Sequence, residues 1–132
     1  MSTTENKQLI QNIISEMSNG NDKPLIEAMS EDMHWNWMGT GPLAKSFVGK
    51  SSVVNELLAA AKTTIKQPAK AVVHRILADG DYVIVECTGQ NITTDGKAYN
   101  NNYCWVCRFN EGKLREINEY MDTELVMETF NG

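Results

Sequence analysis

A carboxyl, an imidazole and an amide on neighbouring strands can move protons, and this sequence offers such a set in Glu119, His34 and Asn36. Side chains alternate between the faces of a strand. That rule groups His34, Asn36 and Met38; Glu86 and Thr88; Tyr99, Asn101, Tyr103, Trp105 and Cys107; and Ile117, Glu119 and Met121. If the four groups share one cavity, Glu119 and His34 are the catalytic pair. Asn36, Glu86, Thr88, Asn101, Tyr103, Trp105 and Ile117 then contact the substrate through aromatic walls and a few orienting polar groups, the mixture a small-molecule site needs. Two carboxyls in one cavity repel each other and lose hydration, which raises the pKa of at least one and makes it a proton donor near neutrality. His34 would act as partner base or orient a carboxyl. The bland reading of Glu86 or Glu119 is a solvated carboxylate at a wet strand end, and both readings stand at this point.

Other residues read as structural. Trp35 and Trp37 fall on the opposite face from His34 and Asn36, so the expectation is that they pack on helices or a subunit partner. Asp122 is placed to cap a terminal helix, with Glu124 favouring its dipole. His74, beside Arg75, reads as structural or solvated. Gly39-Thr40-Gly41-Pro42 lacks the Lys-Ser/Thr of a phosphate loop and reads as a turn. Cys104 and Cys107 form a Cys-x-x-Cys, but within a strand they point to opposite faces, and no further Cys pair or nearby His completes a zinc set. No metal and no cofactor are expected.

The elements that would position these residues follow from periodicity. Ser2-Thr3-Thr4-Glu5 is a capping box, followed by Leu9, Ile10, Ile13, Ile14 and Met17 at helical spacing up to Gly20. Asp22 is placed to cap a short second helix with Pro24 in its first turn and Leu25, Ile26 and Met29 directed inward. Met33 to Met38 reads as a strand, and a third helix follows Gly49 with Val53, Val54, Leu57, Leu58 and Ala61 on one stripe. Four strands then come in sequence, over 71–77, 82–91, 97–109 and 113–121, with turns at Asp79-Gly80-Asp81, Asp95-Gly96 and Glu111-Gly112. A short helix closes the chain over 122–130. Helices first and a meander afterwards predict an α+β fold.

Composition sets the outer bounds. The 132 residues fit one domain, 1–132, with 42% hydrophobic and 22% charged residues. A net charge of −5 argues against nucleic acid and against an anionic membrane surface. No apolar run approaches the roughly 20 residues of a membrane span. Met1 to Asn6 lacks the basic start and apolar stretch of a signal peptide, so a cytoplasmic location is expected, with three reduced cysteines.

Phe47-Val48-Gly49-Lys50 before the third helix, and Phe109-Asn110-Glu111-Gly112-Lys113-Leu114 leading to Glu119-Tyr120-Met121-Asp122, resemble the ketosteroid isomerase-like superfamily, also called nuclear transport factor 2-like (NTF2-like). That group includes SnoaL-like polyketide cyclases and limonene-1,2-epoxide hydrolases. The resemblance implies a cone: a curved antiparallel sheet wrapped around three N-terminal helices, with the pocket between. It also implies that the four face groups named above are concave. Cys87, Asn102, Cys104, Val106 and Arg108 then form a convex surface that in this family resembles a homodimer face.

The family's catalytic sets carry over only in part. Where the isomerase pattern has a first-helix Tyr, an Asp base and a protonated Asp, this chain has Ile13, Asn36 and Trp105, so steroid isomerisation is not implied. The epoxide hydrolase pattern of Tyr-x-Asn is matched by His34-Trp35-Asn36, with His for Tyr. Its Arg-x-Asp falls on Glu86-Cys87-Thr88 and its last-strand Asp on Glu119, leaving the relay without its central Arg. Three functions stay open: acid/base chemistry on a small, largely apolar metabolite; non-catalytic binding of such a ligand; and a pure interaction module.

Overall fold

The computed structural model describes residues 2–130. The first helix, α1 (Thr3–Ser18), starts on the expected capping box: the Glu5 amide donates to Ser2 Oγ at 3.1 Å and the Ser2 amide to Glu5 Oε1 at 3.0 Å. Its stripe of Ile10, Ile13 and Ile14 is buried. After Asn19 the chain turns through Gly20 at φ +87°, a left-handed conformation that favours glycine. The next helix, α2 (Lys23–Ala28), carries Leu25 into the core. Asp22 does not cap it through its side chain: the Lys23 amide donates instead to Asn21 Oδ1 at 3.1 Å, and Asp22 pairs with Lys62 at 3.0 Å.

Strand β1 (Met29–Trp37) follows directly, longer than the alternation indicated, and pairs with β2 (Lys45–Val48). The sequence reading missed β2, whose single inward residue, Phe47, leaves no alternation to detect. The third helical run consists of α3 (Lys50–Ser52), a π-helical turn (Val53–Leu58) and α4 (Ala59–Thr64). Val53, Leu57 and Leu58 are its buried residues.

The remaining strands are β3 (Ala71–Asp79), β4 (Tyr82–Gly89), β5 (Asn91–Ile92), β6 (Ala98–Tyr99), β7 (Asn102–Asn110) and β8 (Lys113–Met121), followed by α5 (Thr123–Phe130). Six strands form one curled, unclosed sheet in the order β2-β1-β8-β7-β4-β3, and β5 and β6 form a separate ribbon. All pairings in the large sheet are antiparallel except β1 with β8, which run parallel. Helix α1 packs on β3 and β4. The core fills the space between helices and sheet with Met33, Trp35, Phe47, Val83, Val85, Cys107, Phe109, Leu114 and Ile117 among its buried members. The expected α+β architecture, a curved sheet with the N-terminal helices packed against it, is the one observed. Among the described residues no helix is long and apolar enough to cross a membrane.

Candidate active site around Glu119

Paired residues of neighbouring strands project to the same face, so the register places the inner residues in rows. One row runs Phe47, Trp35, Ile117, Cys107, Val83; the next runs Trp37, Glu119, Trp105, Val85; the third runs Met121, Tyr103, Cys87. Burial identifies this as the inner face, since Trp35, Phe47, Val83, Val85, Cys87, Cys107, Ile117 and Glu119 are all buried. Glu119 is therefore a carboxyl set in the hydrophobic interior, flanked in its own row by two tryptophans.

The indoles serve the carboxyl directly. Trp35 Nε1 donates to Glu119 Oε1 at 3.2 Å, and Trp105 Nε1 donates to Oε2 at 2.8 Å. The Trp35 and Trp105 rings meet edge to face at 5.2 Å, which fixes both donors. Trp37 stands beside Glu119 in register on β1. All three tryptophans of the chain thus gather at one carboxyl, two as hydrogen-bond donors and one as its strand neighbour. Burial raises the pKa of Glu119 by penalising its charged form, and the indole N–H groups pull it part of the way back.

Around this group lie four more titratable side chains that feel its charge. Burial pushes the Cys87 thiol up to about 11, with Glu119 adding to the effect. Cys107, Tyr99 and Tyr103 are raised for the same reason, burial first. Such groups stay neutral near pH 7 and act as hydrogen-bond donors rather than bases. Among the described residues no three His, Cys, Asp or Glu side chains gather as a metal set would.

Four expected site residues are on the wrong side of the sheet. His34 sits on the outer face, in register with Val48 and Glu116. Asn36 is also outside, its Nδ2 donating to Asn118 Oδ1 at 2.8 Å, in an open cleft of about 600 Å³ shared with Lys45, Ser46 and Glu116. Glu86 lies on the outer face bonded to Arg75, with its side chain 45% exposed. Thr88 is there too, donating to Asn102 Oδ1 at 2.9 Å and touching His74 Nε2 at 2.7 Å. So Glu119 has neither a second glutamate nor a histidine beside it. The physical reason is the odd-numbered apolar set of β1 and β4: Met33, Trp35, Val83, Val85 and Cys87 take the interior and turn their neighbours out.

Tyr103, Trp105 and Ile117 do project inward with Glu119. Asn101 is fully buried but belongs to a clamp. Its Oδ1 accepts from the Asp122 amide at 3.0 Å, and its Nδ2 donates to Asp122 O at 3.1 Å and to the Tyr99 hydroxyl at 3.0 Å. The expected Asp122 cap is present, with the Leu125 amide donating to Asp122 Oδ1 at 3.1 Å. The residues missed were Trp35 and Trp37, and their signal was plain: the bulkiest apolar side chains of β1 lie two apart.

The fold and this inner face can be set beside known proteins. A model of the SnoaL-like domain matches residues 10–117. The chain belongs to the SnoaL-like domain family. Solved structures similar to this SnoaL-like chain include a nuclear transport factor 2-like protein of Burkholderia xenovorans, at 23% identity and TM-score 0.77, covering 98% of each chain. Another, from Burkholderia pseudomallei, has 16% identity and TM-score 0.84, covering all of both chains. An LEH-like epoxide hydrolase of M. tuberculosis has 19% identity and TM-score 0.77, covering 98% of this chain and 91% of that one. At these identities the likeness is one of fold. No curated protein matches the chain.

Proposed function

We propose that the protein binds a small, largely apolar molecule at its inner face and performs acid/base chemistry on it through Glu119, of the isomerase, cyclase, dehydratase or hydrolase type. The observation that carries this reading is the buried Glu119 carboxyl held by two indole donors at 2.8 and 3.2 Å. Burying an ionisable carboxyl costs several kcal/mol that an apolar side chain would not incur. A raised pKa brings its proton exchange toward neutrality, where a proton donor or acceptor is most useful. The two indoles fix both oxygens while leaving each a lone pair for a substrate proton.

A substrate would approach past Trp37, Tyr103 and Trp105, which are only half-buried, since the two open clefts at Asn36 and between α1 and β3 do not border Glu119. Proteins of similar fold include an LEH-like epoxide hydrolase, a putative SnoaL-like polyketide cyclase and a putative isomerase, and epoxides are the first substrates to assay. Glu119→Gln keeps the shape of the side chain and removes its proton chemistry. Turnover of a responding epoxide, enone or β-hydroxy ketone should fall by about 10²-fold or more, as a positioned acid/base group contributes 10²–10⁴. A variant that turns over as fast as wild type would remove Glu119 from the reaction.

The second reading is a non-catalytic ligand-binding domain. It is favoured by the absence, among the described residues, of any second acid or imidazole on the inner face near Glu119. In that case Glu119→Gln changes affinity and no turnover is found in either protein.

A further inference from the structure

The large sheet ends on two unequal edges, β2 with four residues and β3 with nine. An edge strand presents unpaired N–H and C=O groups that template pairing with another chain, so edges are ordinarily kept short, charged or interrupted. On β3 the interruption is a bulge between Val73 and Arg75, and residues 72–75 are all exposed. The register tells which main-chain groups face outward. Lys70 faces inward, its N–H donating to Asn91 Oδ1 at 2.8 Å and its C=O accepting from the Gln90 amide at 2.9 Å. Main-chain groups alternate sides along an antiparallel strand, which turns those of Ala71 and Val73 to the open edge. The Ala71 N–H is seen there, donating to Ser18 Oγ at 3.4 Å. Beyond the bulge, Ile76 and Ala78 stand to Val85 and Val83 as Val73 stands to Cys87, so their main-chain groups face the edge as well.

Helix α1 runs antiparallel beside this edge, tied at one end by Thr3 Oγ1 donating to Gly80 O at 2.9 Å and at the other by Ser18. Between helix and strand lies an open groove of about 710 Å³. It extends from Lys7 to Ser18 on α1 and from Ile76 to Ala71 on β3. Either measure gives roughly 17 Å, the span of five or six extended residues. The floor is apolar, made by Ile14, Val73 and Ile76. Val73 is an inward-facing residue and yet 38% exposed, because the groove leaves it uncovered. The groove has an electrostatic sense too. None of its lining residues is acidic, and Arg75 is committed to Glu86, whereas Lys7 forms no ion pair among the described residues.

We infer that this edge and groove form a docking site for an extended, acidic peptide segment of a partner protein, added as a strand antiparallel to β3. Main-chain bonds to Val73, Ile76 and Ala78 hold the segment, and pockets for alternate side chains select it. Its inward side chains lie on the apolar floor, and a carboxylate at its N-terminal end meets Lys7. A basic segment is repelled by Lys7, and a small apolar ligand leaves the edge amides unused. The site is separate from Glu119 and stands whether or not the inner face performs chemistry.

The probe is acetyl-Asp-Thr-Val-Thr-Val-Ser-amide, whose first, third and fifth side chains share one face. Antiparallel addition sets its aspartate at the Lys7 end and its two valines over the floor, with their N–H groups turned to β3. Titrated into the nitrogen-15-labelled whole protein, it should shift the backbone amide cross-peaks of Val73, Ile76 and Ala78. Those of β2 and the three indole N–H groups of the inner face should stay in place. Lys7→Glu should weaken binding about three- to fivefold, the scale of an exposed ion pair. A probe with lysine in place of aspartate should reverse that order and prefer the variant. Methylating the nitrogens of both valines should abolish the shifts. No shift on β3 at millimolar probe, shifts centred on β2, or equal affinities for the acidic and basic probes would each overturn the site, as would undiminished binding of the methylated probe. Shifts of the same β3 amides on concentrating the protein alone would assign the edge to a second copy and overturn the peptide partner.

Discussion

Glu119 is held between two opposing effects, dehydration favouring its neutral form and indole N–H donation favouring its anion, and dehydration is the larger. This has a consequence for stability. Below its ordinary pKa the carboxyl is protonated whether the chain is folded or not. Above that value the unfolded chain ionises while the buried group keeps its proton, so stability falls as pH rises through the folded-state pKa and then levels. Urea melts of wild type and Glu119→Gln should therefore diverge, wild type losing stability relative to the variant from about pH 4.5 upward. Parallel curves would show that the carboxyl is not perturbed. Removing one indole donor by Trp105→Phe should raise the Glu119 pKa further, and the midpoint of the divergence should move to higher pH. Glu119 was legible in the sequence because Ile117, Glu119 and Met121 lie two apart on β8 and share one face. Its true neighbours were not, since the family likeness drew His34 and Asn36 inward and so displaced the two tryptophans that hold it.

At the scale of elements, hydrophobic alternation was the more dependable guide. In β4 the apolar Val83, Val85 and Cys87 are buried and Glu86 is turned out to Arg75, as alternation alone requires. Helix α1 was read correctly because apolar spacing and cap agreed there, the capping box and the Ile10, Ile13, Ile14 stripe specifying the same register. The break of the long third strand into β6 and β7 was not readable, because it depends on Asn101 bonding to Asp122, a residue twenty-one positions away. That clamp joins the start of β7 to the start of α5. Asn101→Ala deletes three hydrogen bonds and should cost about 2–3 kcal/mol in a denaturant melt, at about 1 kcal/mol for each. Hydrogen exchange should rise first in α5. In the π-helical turn, Leu57 is 7% exposed, and Leu57→Ala should cost about 2–5 kcal/mol. A loss under about half a kcal/mol would mean that the stripe does not face the core.

For the whole molecule, the outer face of the sheet poses the remaining physical question. Cys87 was expected on it and is instead buried inside, but Asn102, Cys104, Val106 and Arg108 lie there. They are joined by Tyr82, Leu77, Val72 and Tyr120, all more than 40% exposed. Six strands at about 4.8 Å spacing and nine-residue strands at about 3.3 Å rise give a face of roughly 25 by 30 Å, close to the ~800 Å² per partner of a standard interface. A two-fold axis sets a patch against itself, so the patch must be self-complementary. This one carries both signs in matched pairs, Arg75 with Glu86 and Arg108 with Glu116, around an apolar middle at Val106 and Ile84. We therefore expect a homodimer through the outer face. Light scattering at micromolar concentration should give twice the chain mass, and Val106→Glu, which sets two carboxylates near the axis, should give a monomer with its inner-face spectrum intact. A second readout is built in: Cys104 is the only cysteine not buried. At fixed alkaline pH its alkylation should slow as protein concentration rises and the face is covered. A rate independent of concentration, together with a monomer mass, would reject the dimer and leave the outer sheet face open to solvent.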